Sequence, residues 1–182
     1  MRRILYLALL VTLCACNMFE LRDSEEPQKP AKWNEPCVTW DQCYDNLVYA
    51  YENFQNWDKY ESQFTDVFRF HFAAQDINDY NINQIWGKAN ERDALYNLHN
   101  LADNMVLTLE PVSQSDEIGE YEVKIYRSYV LQVIRNAVET QYRGNLELHF
   151  RKQNGIWKIQ TWYDYRNSQN PTWGKLKYDM LI

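Results

Sequence analysis

The sequence predicts an α+β fold, a cone-shaped domain in which a curved antiparallel sheet wraps around helices. Helical spacing of apolar residues dominates the first part of the domain, whereas strand-like alternation dominates the second part. Helices and strands that are segregated along a chain are typical of an antiparallel sheet with helices on one face. A third observation is the dipeptide Asn154-Gly155 between two alternating segments, since it supplies the positive φ angles of a tight hairpin turn.

The first residues are typical of an export signal that ends at a lipid attachment site. Two arginines precede an apolar run at residues 4–13. As a helix this run extends roughly 15 Å, about half of the ~30 Å hydrocarbon core, and is too short to span a membrane. Residues 13–16 (LCAC) resemble a bacterial lipobox. We therefore predict a lipoprotein signal peptide over residues 1–15, cleavage before Cys16, and lipid on Cys16.

A lipid on Cys16 would place the protein at the cell envelope. Two or more acyl chains, each contributing ~0.8 kcal/mol per buried CH₂, anchor a protein stably to a membrane. Asn17 does not resemble the residue that retains lipoproteins in an inner membrane, so an outer membrane is favoured if the cell has two membranes. In the alternative interpretation, a secretory peptide is cut elsewhere and Cys16 is an ordinary thiol.

Composition divides the rest of the chain into a tether and one domain. Residues 16–36 are predicted to be the lipidated cysteine and a flexible tether, because this stretch is polar and interrupted by prolines. Residues 37–182 have the length of a single domain with one core. The formal net charge is -6, and no basic stripe is present, which excludes nucleic acid as a partner. No motif for a cofactor, a phosphate or a metal ion is found, so none is expected.

Three helices are predicted from apolar residues that recur every three or four positions. The first begins at Thr39, where residues 39–42 (TWDQ) form a capping box. Residues 76–83 are rich in Asp and Asn and are predicted to form a loop. The three helical segments are 39–54, 57–64 and 90–103.

Five strands are predicted where apolar and polar side chains alternate. Pro111 ends the second of them, and a turn is expected within residues 135–140. The tail after Pro171 has no clear period. The predicted strands are 67–72, 105–109, 121–134, 142–152 and 156–165.

Two cysteines remain in the predicted domain. Cys37 lies just before the first helix and Cys43 lies in its second turn, a separation at which a bridge is geometrically strained. An even number of cysteines in an exported protein favours a disulfide over two free thiols. Two cysteines without a nearby histidine make a poor zinc site.

Two stretches of the chain resemble the nuclear transport factor two-like superfamily, which includes ketosteroid isomerase, scytalone dehydratase and SnoaL-like cyclases. They are residues 46–70, with NLVYAY and DVFRF at the ends, and residues 144–164, which contain FRK, GIWKI and WYD. More narrowly, the chain resembles bacterial lipoproteins that carry such a domain. The resemblance covers residues 38–166 and implies the cone fold. It does not imply one activity, because this fold hosts many.

Strand alternation predicts which side chains line the interior of the cone. It directs Phe68, Phe70 and Phe72 of one strand, and Thr161 and Tyr163 of the last, towards the helices. In this register the histidines and carboxylates of the strands face outwards. An acid–base catalyst would need such a group in the pocket, so the pattern argues against catalysis.

A β-bulge would reverse part of this assignment, since one extra residue exchanges the two faces of a strand. Gly144 is the residue at which a bulge is most plausible. His149 and Asp164 would then form an inward acid–base pair on neighbouring strands.

The sequence therefore favours a non-catalytic domain that binds a small apolar or aromatic molecule, or a protein partner. One alternative is an isomerase, dehydratase or hydrolase that acts on a small hydrophobic substrate. Another is a structural homodimer that pairs through the outer face of the sheet, as members of the superfamily often do. The residues expected on that face are Arg69, His71, Glu147, His149 and Trp162.

Overall fold

The computed structural model describes residues 33–54, 56–82 and 86–181. Within them, a curved mixed sheet of six strands packs against five helices without closing into a barrel. The predicted α+β fold class is confirmed. The predicted signal peptide, Cys16 and most of the tether lie outside the described residues.

The structure confirms the three helices that helical spacing predicts. Two more lie in the segments predicted as a loop and as an irregular tail, and each has only seven residues, too few to show a period. None of the helices in the described part of the chain is long and apolar enough to cross a bilayer. The helices are α1 (Trp40–Glu52), α2 (Trp57–Ser62), α3 (Ala74–Tyr80), α4 (Lys88–Leu101) and α5 (Trp173–Asp179).

The strands run in the order β1-β6-β5-β4-β2 across the sheet, and the short β3 pairs with β4. The pairing of β1 with β6 is parallel, so the sheet is mixed rather than wholly antiparallel. Parallel neighbours need a long connection, which the helices and strands between β1 and β6 provide. The strands are β1 (Phe64–His71), β2 (Asn104–Pro111), β3 (Glu117–Ile118), β4 (Glu122–Arg135), β5 (Val138–Gln153) and β6 (Ile156–Tyr165).

Two tight turns connect the three long strands. Asn154 and Gly155 have positive φ angles of 52° and 81°, as the dipeptide predicts. Asn136 and Ala137 form the corresponding turn between β4 and β5, with φ angles of 51° and 61°.

A bulge in β6 changes which side chains enter the cone. Phe150 pairs with Ile159, whereas His149 pairs with Thr161, so Gln160 is the additional residue. Beyond it the faces are exchanged, because side chains alternate with a period of two. Trp162 and Asp164 are therefore buried in the interior, and the prediction that Thr161 and Tyr163 line it is wrong.

Aromatic side chains fill the space between the sheet and the helices. Trp86, Trp162 and Trp173 are completely buried. The rings meet edge to face, at centroid distances of 4.6 Å between Trp162 and Trp173 and 4.7 Å between Tyr51 and Trp173. The interior at this level is a packed core.

Trp33 is the first described residue, and it lies within the segment that composition assigns to the tether. The backbone N–H of Asn34 donates to Asn46 Oδ1 at 2.8 Å, and Asn46 Nδ2 donates to the Asn34 carbonyl at 2.7 Å. Trp33 packs edge-on against Tyr49 of α1. Residues 33–36 are thus held against the first helix.

Gly144 is in regular register with Tyr129 of β4, so it is not a bulge. A Cβ atom at this position would lie 2.4 Å from the Tyr129 hydroxyl and 2.5 Å from the Tyr165 carbonyl oxygen. Both distances are far below van der Waals contact. Glycine is needed here because the Tyr129 side chain crosses directly over the strand.

Replacing Gly144 with alanine should lower the free energy of unfolding by about 1–3 kcal/mol, because a packed neighbour must move. Urea denaturation followed by circular dichroism measures this loss. Gly87→Ala is the control, since its Cβ would lie 3.9 Å from the nearest atoms. Equal losses in the two variants would contradict the steric explanation.

Candidate functional site

A buried ion pair lies at the centre of the cone. Lys177 Nζ is 2.9 Å from the Glu91 carboxylate, and the two side chains are 2% and 0% exposed. Lys177 belongs to α5, and Glu91 lies in the first turn of α4. The pair therefore joins the last helix to the middle of the fold.

Glu91 has two further hydrogen-bond donors. The Tyr60 hydroxyl donates to Glu91 Oε2 at 2.9 Å, and Trp86 Nε1 donates to Oε1 at 2.7 Å. A buried carboxylate is tolerated only when it is paired and hydrogen-bonded, and both of its oxygens have donors here.

Lys177 is surrounded by aromatic rings. Its Nζ lies 3.3 Å from the ring centroid of Trp162, 3.8 Å from that of Phe70 and 5.5 Å from that of Trp173. Burial lowers the pKa of Lys177 to about 8, although the Glu91 carboxylate opposes this shift. Below that pH the ammonium form is retained.

Asp164 is a second buried carboxylate. It accepts hydrogen bonds from the Tyr129 hydroxyl and from the Gly174 N–H, both at 2.6 Å. Burial raises the pKa of Asp164 to about 6, while these two hydrogen bonds oppose the shift. The Tyr129 hydroxyl also accepts from the Trp173 N–H at 2.8 Å, so β4 and β6 together bind the start of α5.

Asp76 of α3 is a third buried carboxylate. It accepts a hydrogen bond from the Thr172 hydroxyl, and Arg166 Nε donates to it at 3.1 Å. Thr172 in turn caps α5 by accepting from the Lys175 N–H at 3.0 Å. All three carboxylates thus bind α5 or the residue before it.

These groups have the chemical types of an acid–base site, but the side chains of α5 occupy the space beside them. Trp173 and Leu176 are completely buried. Phe68, Phe70 and Phe72, the proposed lining of a ligand pocket, lie in the same packed core. Phe70, for example, contacts Trp162 and Phe72 edge to face. The protein's own side chains fill this space, although Trp162 Nε1 and Trp173 Nε1 have no hydrogen-bond partner among the described residues.

His149 and Asp164 do not form a pair. The bulge turns Asp164 into the core, whereas His149 lies on β5, which stays in register with β4. His149 Nε2 instead contacts Glu147 Oε1 at 2.5 Å on the outer face of the sheet. Among the described residues, no group of three potential metal ligands is present.

The outer face of the sheet carries a cluster of aromatic and ionisable side chains. Tyr163 stacks on His71, with the ring centroids 4.3 Å apart, and lies 5.4 Å from His149. The Tyr165 hydroxyl donates to Glu147 Oε2 at 2.9 Å. Partial burial lowers the pKa of His71, and the neighbouring charges of His149 and Arg69 add to the effect. We call His71, Glu147, His149, Tyr163 and Tyr165 the outer-face cluster.

Cys37 and Cys43 are free, buried thiols in the structure, whereas the sequence analysis favours a disulfide between them. The Cys43 thiol is directed at the Trp157 carbonyl oxygen, 3.0 Å away on β6. This contact between distant segments is not visible in the spacing of the two cysteines.

The sequence patterns do not single out Glu91 or Lys177 as site residues. A charged residue in the first turn of a helix is ordinary, because it complements the helix dipole. The available signal is that Glu91 shares a helix face with Leu95 and Leu98, at spacings of four and seven. Lys177 gives no such signal, because its helix is too short.

The sequence matches no protein-family model and no curated protein. Solved structures do resemble the fold. A conserved protein from Planctomyces limnophilus is 13% identical with a TM-score of 0.58, over 69% of this chain and 91% of that chain. A candidate scytalone dehydratase from Novosphingobium aromaticivorans is 11% identical with a TM-score of 0.56, over 74% and 90%.

A third solved structure is described by the name of a fold superfamily. It is a nuclear transport factor 2-like superfamily protein from Salmonella enterica, 11% identical with a TM-score of 0.52, over 72% of this chain and 87% of that chain. At these identities the likeness shows the fold alone. The chain has a nuclear transport factor 2-like fold.

Replacing Lys177 with methionine should lower the free energy of unfolding by about 3–5 kcal/mol, because Glu91 is left as an uncompensated buried charge. Adding Glu91→Gln should restore part of the loss, since a neutral amide needs no cation. Chemical denaturation of the single and double variants measures both effects.

Lys175→Met is the matched control in the same helix. Lys175 pairs with Asp179 near the surface, and such pairs contribute less than about 1 kcal/mol. If both lysine variants lose the same stability, or if Glu91→Gln adds to the loss from Lys177→Met, the buried ion pair does not have the role assigned to it.

Proposed function

We propose that this protein is an exported, lipid-anchored binding module of the cell envelope rather than an enzyme. The proposal for its location rests on the lipobox-like residues 13–16 and on the polar stretch between Cys16 and the folded domain. An outer membrane remains the favoured destination if the cell has two membranes. The proposal for binding rests on the fold.

The observation that carries the non-catalytic assignment is the filled cone. The site in which an enzyme of this shape would hold its substrate contains Trp173, Leu176 and Lys177 of the protein itself, all buried. Each charged group there is already paired. Binding is therefore assigned to the surface of the domain.

The outer-face cluster is the surface that we assign to this role. Tyr163 is half-buried and Tyr165 is 45% exposed, so aromatic rings with polar edges face solvent. Exposed tyrosines of this kind are enriched in protein interfaces and frequently dominate their affinity. The occupant that we favour is a protein partner, with a second copy of this chain as the structural alternative. Trp162 takes no part, because it lies in the core.

One observation favours an enzyme as the second candidate. Burial brings the pKa of Asp164 to about 6 and that of Lys177 to about 8, values suited to proton transfer near neutral pH. An isomerase, dehydratase or hydrolase acting on a small hydrophobic substrate would use such groups only if α5 moved out of the cone. Soaking crystals with candidate substrates distinguishes the two, since an enzyme would show a displaced α5 with substrate beside Asp164.

Cells grown with radiolabelled palmitate should yield a labelled protein that fractionates with membranes. Cys16→Ser should remove the label and release the protein into the soluble fraction, because the acyl chains are the only anchor assigned to it. Cys14→Ser is the matched control, because Cys14 is removed with the signal peptide, and it should leave labelling unchanged. A labelled Cys16→Ser protein, or one still bound to membranes, would refute the anchoring.

Tyr163→Ala should weaken association with the partner by about tenfold or more, since truncation of a central aromatic residue costs about 2 kcal/mol at an interface. Crosslinking in cells followed by affinity capture measures partner binding, and light scattering of concentrated protein measures self-association. Tyr121→Ala is the control, because Tyr121 is 59% exposed and lies outside the cluster. Equal capture by the two variants, with no difference in self-association, would exclude the outer face.

A further inference from the structure

Cys37 lines a surface groove that is distinct from the outer-face cluster, and Cys43 is completely buried in the core. The groove has a volume of about 190 Å³ and is bounded by residues 33–37, the end of α2 and the start of β6. Cys37 lines it, together with Trp33, Gln63 and Trp157. A small molecule in the groove would therefore meet the Cys37 side chain.

Hydrogen bonds distinguish the two sulfur atoms. Cys37 Sγ accepts from Asn46 Nδ2 at 3.4 Å and contacts the Asn34 carbonyl oxygen at 3.6 Å, whereas the Cys43 thiol donates to the Trp157 carbonyl oxygen. The hydrogen bond with Cys43 lowers the pKa of Cys37, and Asn46 adds to this, although burial opposes both. The hydrogen bond with Cys37 and burial raise the pKa of Cys43. Cys37 is thus the more acidic thiol of the pair, and it is also the one that lines the groove.

We propose that Cys37 and Cys43 form a redox-active dithiol that exchanges with small disulfides entering the groove, with Cys37 as the attacking sulfur and Cys43 as the resolving sulfur. A thiol that borders a surface groove and has a second thiol close to it in the fold is an arrangement that permits thiol–disulfide exchange. The proposal is independent of lipid anchoring and of the outer face.

The exchange balances in two steps. The Cys37 thiolate attacks one sulfur of the small disulfide, forming a mixed disulfide and expelling the first thiolate. Cys43 then transfers its proton to that thiolate and attacks Cys37 Sγ, which expels the second thiolate. The protein loses two electrons and the small disulfide gains them. Once Cys37 is in the mixed disulfide, its charge no longer raises the pKa of Cys43.

Gln63 indicates which disulfides the groove accepts. The residue is 4% exposed, and neither polar atom of its side chain has a hydrogen-bond partner among the described residues. Leaving such groups unpaired costs about 1–3 kcal/mol each. A peptide group offers both a donor and an acceptor, so it matches the primary amide of Gln63 at both ends. We therefore assign the site to disulfides that carry peptide groups.

The test uses the full chain carrying Cys14→Ser and Cys16→Ser, so that Cys37 and Cys43 are its only thiols. After incubation of the reduced protein with glutathione disulfide, mass spectrometry should show the loss of two hydrogens and no lasting adduct. Cys43→Ser should accumulate one glutathione adduct, and Cys37→Ser should react at least about tenfold more slowly. Circular dichroism confirms that each variant is folded.

Two results would contradict the proposal that Cys37 and Cys43 form a redox-active dithiol. In the first, neither thiol of the native protein reacts with glutathione disulfide, whereas both react rapidly in urea. That result is expected of inert core cysteines. The other is equal adduct formation by the two serine variants, which removes the assigned order. If a serine variant does not fold, peptide mapping of the otherwise unchanged protein after brief iodoacetamide treatment replaces it, and labelling of Cys37 before Cys43 is expected.

A second arm tests the ligand class. Gln63→Leu should slow exchange with glutathione disulfide severalfold and leave exchange with cystamine, which has no peptide group, unchanged. Equal effects on the two probes, or no effect on either, would refute the assignment of peptide-bearing disulfides.

Discussion

The ion pair between Lys177 and Glu91 is the constraint on which the rest of the structure depends. Two opposite charges removed from water are stable only if each is fully coordinated. Tyr60 and Trp86 must therefore present their donors to Glu91, and the rings of Phe70 and Trp162 must surround the ammonium group. This requirement fixes α5 inside the cone.

The shape of the fold suggests a small-molecule site inside the cone, but in this protein side chains fill that space. Asp164 and Asp76 have their own partners, and both sets of partners bind the segment that starts α5. Each of these buried carboxylates thus accepts hydrogen bonds from groups of the protein itself. The two sites that we propose for binding therefore lie on the surface, at the outer-face cluster and at the groove beside Cys37.

Strand β6 connects the three regions. Before its bulge, the Trp157 carbonyl accepts from the Cys43 thiol, and beyond it Trp162 and Asp164 enter the core. Tyr163 and Tyr165, the alternate residues, belong to the outer-face cluster. One additional residue, Gln160, therefore decides which side chains become core and which become surface, because every later position is shifted to the opposite face.

Local patterns in the sequence were sufficient for the fold class, for three of the helices, and for the hairpin at Asn154-Gly155. The export signal is likewise a purely local pattern, and it stays a prediction. Tertiary structure decided what local patterns do not encode: the bulge at Gln160, the parallel pairing of β1 with β6, and the burial of Lys177. Periodicity records which face of an element is apolar. It does not record a buried charge, since the partners that make burial tolerable come from distant parts of the chain.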